Sequence, residues 1–343
     1  MSIVVAGVVA GMLAVSAVPA AGQSLREVVK RVSPSVVLIE ASGAAPVQNG
    51  AVSVEQGVGS GVLISADGKV LTAAHVVSGA DTITVRFTTG DPVPARIVAS
   101  APFADLALLQ LTHVPPGAVV ARFGDSDALE IGDQVFTIGA PYGAGHSLAV
   151  GWISARRVPD AVFEDATALE VFQADLSVFE GNSGGPLFTL SGEIVGIVTH
   201  VLAKDGTATG PSFSVTGNVA RRLMVDERRA WFGVESVLLE GDVAAAFHLP
   251  WPAALLVQSV AAGSIADRLH LREGTMPATI GTLSMVVGGD LIIAVQGTPV
   301  SSGPTFLAAF NSTLTRLKPG DRLEVTVWRG GKAETLSATV TEP

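Results

Sequence analysis

An all-β fold is predicted for the first two thirds of the chain and a smaller α+β unit for the rest. Short apolar runs, "GSGVLIS", "DTITVRF", "ARIVAS", "LALLQL", "QVFTIGA" and "LAVGWIS", follow one another with turn residues between them. Helical periodicity is scarce there, and many short strands without intervening helices indicate a sandwich or barrel. After residue 231 the pattern changes to strand, strand–helix, strand, helix, strand, strand. A length of 343 residues fits two domains, each long enough to bury a core.

Composition narrows the function. Net charge is −10, with 31 acidic against 21 basic residues and no basic run, which argues against a nucleic-acid footprint. The chain has no cysteine, so disulfides, thiolate zinc sites and cysteine nucleophiles are excluded. No metal cluster, phosphate loop or cofactor motif is present, and no cofactor is expected.

The elements follow in order. Residues 1–22 are uncharged and nearly all apolar. They read as a signal peptide, with small residues around Ala20 to present a cleavage site, or as a membrane anchor near spanning length. Either implies export. Ser24 and Glu27 form a capping box opening a short helix, with Leu25, Val28, Val29 and Val32 on one side. "PSVVLIE" is a strand, and "AAPVQNGAVSVEQG" (44–57) a loop of small and polar residues. "ADGK" (66–69) is a hairpin turn. "GNVARRLMVDERR" (217–229) is a polar, helix-compatible linker, and "GGDLIIAVQGTPV" a hairpin turning at Gly297. The segment "REGTMPATIGTLSM" (272–285) is long for a loop and carries no readable role.

Chemistry centres on "GNSGG" (181–185). The string fits the nucleophile elbow of α/β-hydrolases, the serine loop of trypsin-like barrels, or a glycine-rich turn without chemistry. An elbow needs a helix after its serine, whereas "GGPLF" and "GEIVGIVTHV" read as strands. A serine hydroxyl needs a base, and the base an orienting acid. His113 and His146 lie in Pro- or Gly-rich loops, and His200, His248 and His270 follow the serine. His75 ends the apolar run of "VLTAAHVV", and Asp105 opens "DLALLQL". The order His75, Asp105, Ser183 along an all-β chain points to a triad.

"GSGVLIS", "VLTAAHVV", "DLALLQL", "GAPYG", "AVGWISA", "GNSGGPLF", "GEIVGIV" and "GPSFSV" together resemble the landmarks of HtrA-type serine proteases. The resemblance implies an all-β catalytic domain, a chymotrypsin-like double β-barrel, at residues 23–224. A small α+β PDZ domain would follow at residues 225–343. It makes His75 the general base, Asp105 its orienting acid and Ser183 the nucleophile. The N–H groups of Gly181 and Ser183 would form the oxyanion hole. Ser177 stands where basic-specific trypsins carry an aspartate. With Val198, Thr199 and His200, it implies a pocket for aliphatic P1 residues. "WFGV" (Trp231, Phe232, Gly233, Val234) stands where the family binds a peptide's terminal carboxylate. Implied partners are unfolded polypeptides, C-terminal peptides and a homotrimer, to which the helix at 25–32 would contribute. The implied place is the periplasm or cell envelope.

Two departures matter. Glu180 stands where a proline commonly precedes the glycine, and is expected to point to solvent. It keeps open a catalytically weak relative acting as a peptide-binding chaperone or sensor. Asn182 replaces the aspartate of zymogen-activated enzymes, so no activation by a newly cut N-terminus is implied.

Overall fold

The computed structural model describes residues 24–46, 52–143, 145–157, 169–201, 211–227, 231–280, 283–302, 306, 310, 313, 314 and 316–341. The segment 1–22 lies outside them. Among the described residues no helix is long and apolar enough to cross a membrane.

Six strands close the first barrel: β1(Val36–Pro46), β2(Val52–Leu63), β3(Lys69–Thr72), β4(Thr82–Arg86), β5(Val93–Ala101) and β6(Leu106–Leu111), ordered β1-β2-β3-β6-β5-β4. Six more close the second: β7(Gln134–Gly139), β8(Ser147–Arg157), β9(Val171–Ala174), β10(Pro186–Thr189), β11(Ile194–Val201) and β12(Ser212–Thr216), ordered β10-β11-β12-β9-β8-β7. The predicted all-β fold is thus a double barrel.

Strand alternation explains the packing. Val37, Ile39, Leu63, Val70, Val85 and Leu109 fill the first barrel. Val36, Val62, Leu71, Leu106 and Leu108 point the other way and join Phe136, Ile138, Phe188, Ile194 and Ile197 in a core shared by both barrels. A strand between two cores is buried on both faces and loses its polar alternation. "LALLQL" is apolar for that reason.

Three expectations change within residues 24–227. Residues 44–57 are not all loop: the β1–β2 ladder runs out to Pro46 opposite Val52. Backbone pairing carries such an arm without an apolar signal. The helix α1(Leu25–Val32) has its capping box, with Glu27 N–H on Ser24 Oγ and Ser24 N–H on Glu27 Oε2. Its apolar side, however, packs on its own barrels: Val28 and Val32 are buried in the shared core. The surface expected to serve a trimer is therefore already used within the chain. The supposed linker is also core. Helix α3(Gly217–Arg221) continues as a wider turn to Asp226, burying Val219, Ala220, Leu223 and Met224 in the shared core.

Beyond residue 231 lie β13(Val234–Glu240), α4(Gly241–Ala246), β14(Ala253–Val260), α5(Ile265–Arg268), β15(Met276–Ile280), β16(Leu283–Val287), β17(Leu291–Val295), β18(Thr298–Pro299), β19(Arg322–Arg329) and β20(Lys332–Thr339). A sheet ordered β13-β14-β17-β19-β20, with β18 on β17, leaves β13 at an edge. The hairpin at Gly297 forms as expected, with Gln296 and Gly297 at φ 47° and 73°. Most of the segment 272–285 is no loop. It supplies β15 and the start of β16, an added hairpin whose Met285 packs with Leu239 and Leu256 of the sheet. Gln258 holds it by accepting from Val286 N–H (2.6 Å) and donating to Val286 O (3.0 Å).

Candidate active site

The first barrel supplies His75 and Asp105. Strand β3 ends at Thr72, and the one-turn helix α2(Ala74–Val77) follows. Ala74, Val76 and Val77 are buried, which leaves His75 on the exposed side. Asp105 ends the turn Pro102–Ala104 in a left-handed conformation (φ 51°, ψ 45°), which Asp tolerates better than most residues. Its carboxylate thereby reaches His75. Oδ2 lies 2.8 Å and Oδ1 3.0 Å from Nδ1, and Oδ1 also accepts the His75 backbone N–H at 3.0 Å. A carboxylate can only accept, so Nδ1 carries the proton and Nε2 is left as the base. The Asp105 hydrogen bond raises the His75 pKa above 6.5 against the opposing effect of partial burial.

The second barrel supplies Ser183. Gly181 and Gly184 flank it at φ 96° and 82°, in the left-handed region that glycine enters freely. Two short bonds pin the loop to β11: Gly184 N–H to Val198 O (2.7 Å) and Val198 N–H to Gly185 O (2.9 Å). The Ser183 carbonyl accepts Ser60 N–H of β2 at 2.8 Å. Gly59 lies at this junction. A Cβ there would stand 2.5 Å from Val76 Cγ1 of the histidine helix and 3.1 Å from the Ser183 carbonyl oxygen. The half-buried Ser183 hydroxyl donates to the Thr199 carbonyl at 3.3 Å.

Among the described residues, neither the Gly181 nor the Ser183 N–H has an acceptor. The Gly181 carbonyl, by contrast, accepts Ser60 Oγ–H at 2.6 Å, and the Glu180 carbonyl accepts Tyr142 N–H at 2.8 Å. Glu180 is exposed, as expected, and Asn182 is buried.

Known proteins are similar to this chain. Residues 59–197 match the trypsin-like peptidase domain family. The chain is 36% identical over 293 residues to a "probable periplasmic serine endoprotease DegP-like" of Ectopseudomonas mendocina, covering 83% of this chain and 56% of that protein. The counterpart from Pseudomonas putida (strain GB-1) is 34% identical with the same coverage. The chain spans about half the length of the curated relatives it matches. A solved variant of the HtrA-type protease AlgW with a decapeptide is 27% identical, with TM-score 0.56, covering 94% of this chain and 98% of that one. By these comparisons the chain matches a trypsin-like peptidase domain and is similar to HtrA-type serine proteases.

The other expected site residues separate into two groups. Ser177 is exposed ahead of buried Val178. Val198 and Thr199 are buried on β11, and His200 pairs with Phe213 there, its side chain outside the described residues. Far along the chain, the carbonyls of Trp231, Phe232 and Gly233 accept the N–H groups of Ile265, Ala266 and Ala261. Phe232 is buried with its ring edge-on to Phe310 at 5.5 Å, and Gly233 has φ 74°. Val234 starts the free edge of β13. Sequence reasoning missed Ser60 and Thr72, whose only signal is a small polar residue beside glycines or at a strand end.

Proposed function

We propose that this chain is a serine endopeptidase of the periplasm that cleaves unfolded or damaged polypeptides. The observation that carries this is the two-point grip of Asp105 on His75, beside a loop holding Ser183 and two unpaired N–H groups. Ser183 turns from the Thr199 carbonyl to His75 Nε2 and attacks the scissile carbonyl while His75 takes its proton. Asp105 stabilises the imidazolium. The oxyanion is received by the N–H groups of Gly181 and Ser183. His75 then protonates the departing amine, and water attacks the acyl-serine with His75 again as base. Ser177, Val198, Thr199 and His200 form the P1 pocket. None of these four residues is a carboxylate that could offset a buried cation, so aliphatic residues are preferred over Arg or Lys.

The periplasmic assignment rests on the named relatives. Residues 225–343 act as a PDZ domain. A peptide adds to the β13 edge, and the N–H groups of Trp231, Phe232, Gly233 and Val234 take its carboxylate. The fixed inward carbonyls of that loop support this reading. Amidating a bound peptide should weaken it; equal affinity for acid and amide rejects the loop. A homotrimer would be built from surfaces other than α1, and sedimentation velocity over a wide concentration range reads it.

Casein degradation tests the main reading: the wild-type chain should cleave and Ser183→Ala should not. Two observations favour a second reading, a catalytically weak relative acting as a peptide-binding chaperone or sensor. The Ser183 hydroxyl rests on Thr199, and Glu180 precedes the hole. If the wild type is inert and Glu180→Pro restores cleavage, the second reading holds.

A further inference from the structure

We infer that Ser60 is a positioning residue for the oxyanion hole, a role that rests on the triad reading above. Ser60 is fully buried where the two barrels meet, and each of its polar groups is used. Its N–H donates to the Ser183 carbonyl (2.8 Å), and its Oγ donates to the Gly181 carbonyl (2.6 Å) and accepts Ala140 N–H (2.9 Å). Its own carbonyl accepts Thr72 Oγ–H at 2.7 Å.

The partners make this more than a packing contact. Gly181 and Ser183 are the residues whose N–H groups face the developing oxyanion. The Gly181 and Ser183 N–H groups share their peptide planes with the Glu180 and Asn182 carbonyls; Ser60 pins the next plane on, across one Cα from each N–H, which limits the φ/ψ rotation that would re-aim it. Gly181 most needs such restraint, because without a Cβ its backbone has wide conformational freedom. Glu180, on its other side, is held by Tyr142 N–H, so the carbonyls before and after the Gly181 Cα are both fixed. Thr72 ends the strand that leads into the His75 helix. Ser60 therefore connects the base's strand to the nucleophile's loop through two side-chain hydroxyls.

The glycines of "GSG" serve this approach. A Cβ at Gly59 would meet Val76, and one at Gly61 would lie 2.8 Å from Ile39 Cδ1 and 2.9 Å from Val70 Cγ1. Only small residues let β2 come close enough for Ser60 to bridge. Oxyanion donors act through preorganisation, so their loss of alignment lowers the rate of the chemical step more than it weakens substrate binding.

The test compares wild type, Ser60→Ala and Ser60→Cys on an aliphatic-P1 peptide substrate, a peptide aldehyde, and the matching unreactive peptide amide. The aldehyde forms a hemiacetal whose oxygen occupies the hole; the amide does not. For Ser60→Ala we expect kcat to fall about 10-fold to 100-fold with KM within about twofold. Aldehyde affinity should fall by the same factor and amide affinity should hold. Ser60→Cys, a weak donor of similar size, should lie between. Unchanged kcat in folded Ser60→Ala overturns the role. So does a kcat loss that leaves aldehyde affinity intact, since a merely structural defect would do that. If Ser60→Ala does not fold, Ser60→Cys carries the same comparison, and failure of both to fold assigns the residue to barrel packing alone. Wild type is first labelled with a fluorophosphonate. If Ser183 is not labelled, the triad reading fails and takes this role with it; if it is labelled and Ser60→Ala behaves like wild type, this role alone fails.

Discussion

The two barrels hold the three residues of the proposed triad differently. In the first, His75 and Asp105 are already joined, by a carboxylate that grips ring and backbone from a left-handed turn. In the second, Ser183 is held through its backbone while its hydroxyl rests on Thr199. The acid–base half is assembled by contacts within one barrel. The nucleophile half depends on contacts across two, chiefly those of Ser60. Fixed and adjustable halves of one site can thus be separated experimentally.

The largest effect should come from breaking the fixed half. Asp105→Asn keeps the shape but offers Nδ1 the wrong partner, and the rate should fall about 10⁴-fold with KM little changed. Steady-state kinetics on one peptide substrate measure it; a loss below tenfold would mean that Asp105 does not set the tautomer.

Next comes the seam between the halves. At Gly184 a Cβ would stand 2.2 Å from Thr72 Oγ1 and 2.3 Å from the Ser60 carbonyl oxygen, at φ 82°. Gly184→Ala should cost on the order of 2–4 kcal/mol and abolish activity. Gly132→Ala, at φ 99° with nothing within 4 Å, carries strain alone and should cost about 1–2 kcal/mol. Urea unfolding distinguishes them, and equal costs would remove the seam from the account.

The pH profile sharpens the comparison further. The base works only when His75 is neutral, and Asp105 raises its pKa above 6.5. Activity should therefore rise with pH through an inflection above 6.5, and Asp105→Asn should move that inflection down. Stability runs the other way. The pair's contribution is fully present below about pH 6.5 and is lost as pH rises through the raised value. An inflection below 6.5 in the wild type would contradict the pairing.

The smallest effect belongs to His146, whose Nδ1 lies 3.3 Å from Ser33 Oγ and whose pKa is lowered by burial. Its neutral form is the stable one, so stability should fall as pH drops from 6.5 through the lowered value. His146→Gln should reduce that acid loss in thermal melts at pH 5 against pH 7.

Much of this was legible because strand ends announce themselves. His75 and Asp105 stand where apolar runs stop or start, and the glycines beside Ser183 mark a loop that must turn sharply. Other features had no local signal. An amphipathic helix shows that it has a buried side but not what covers it; α1 is covered by the shared core, and a Cβ at Gly192 would stand 2.8 Å from Val32 Cγ1 and 3.0 Å from Val28 Cγ1. The added hairpin β15–β16 read as a loop because its apolar residues cover a small secondary core. Ser60 was hidden in a glycine-rich strand, since its importance lies in partners of the second barrel, Ala140, Gly181 and Ser183, far along the chain.

The central claim is that Ser183, turned toward a base fixed by Asp105, is the nucleophile. Labelling the wild-type chain, His75→Ala and Ser183→Ala with a fluorophosphonate, then locating the adduct by peptide mass spectrometry, tests it most directly. The account predicts one adduct on Ser183 in the wild type, labelling slowed by orders of magnitude in His75→Ala, and none in Ser183→Ala. An adduct on another serine, or one at Ser183 that forms as fast without His75, would contradict it.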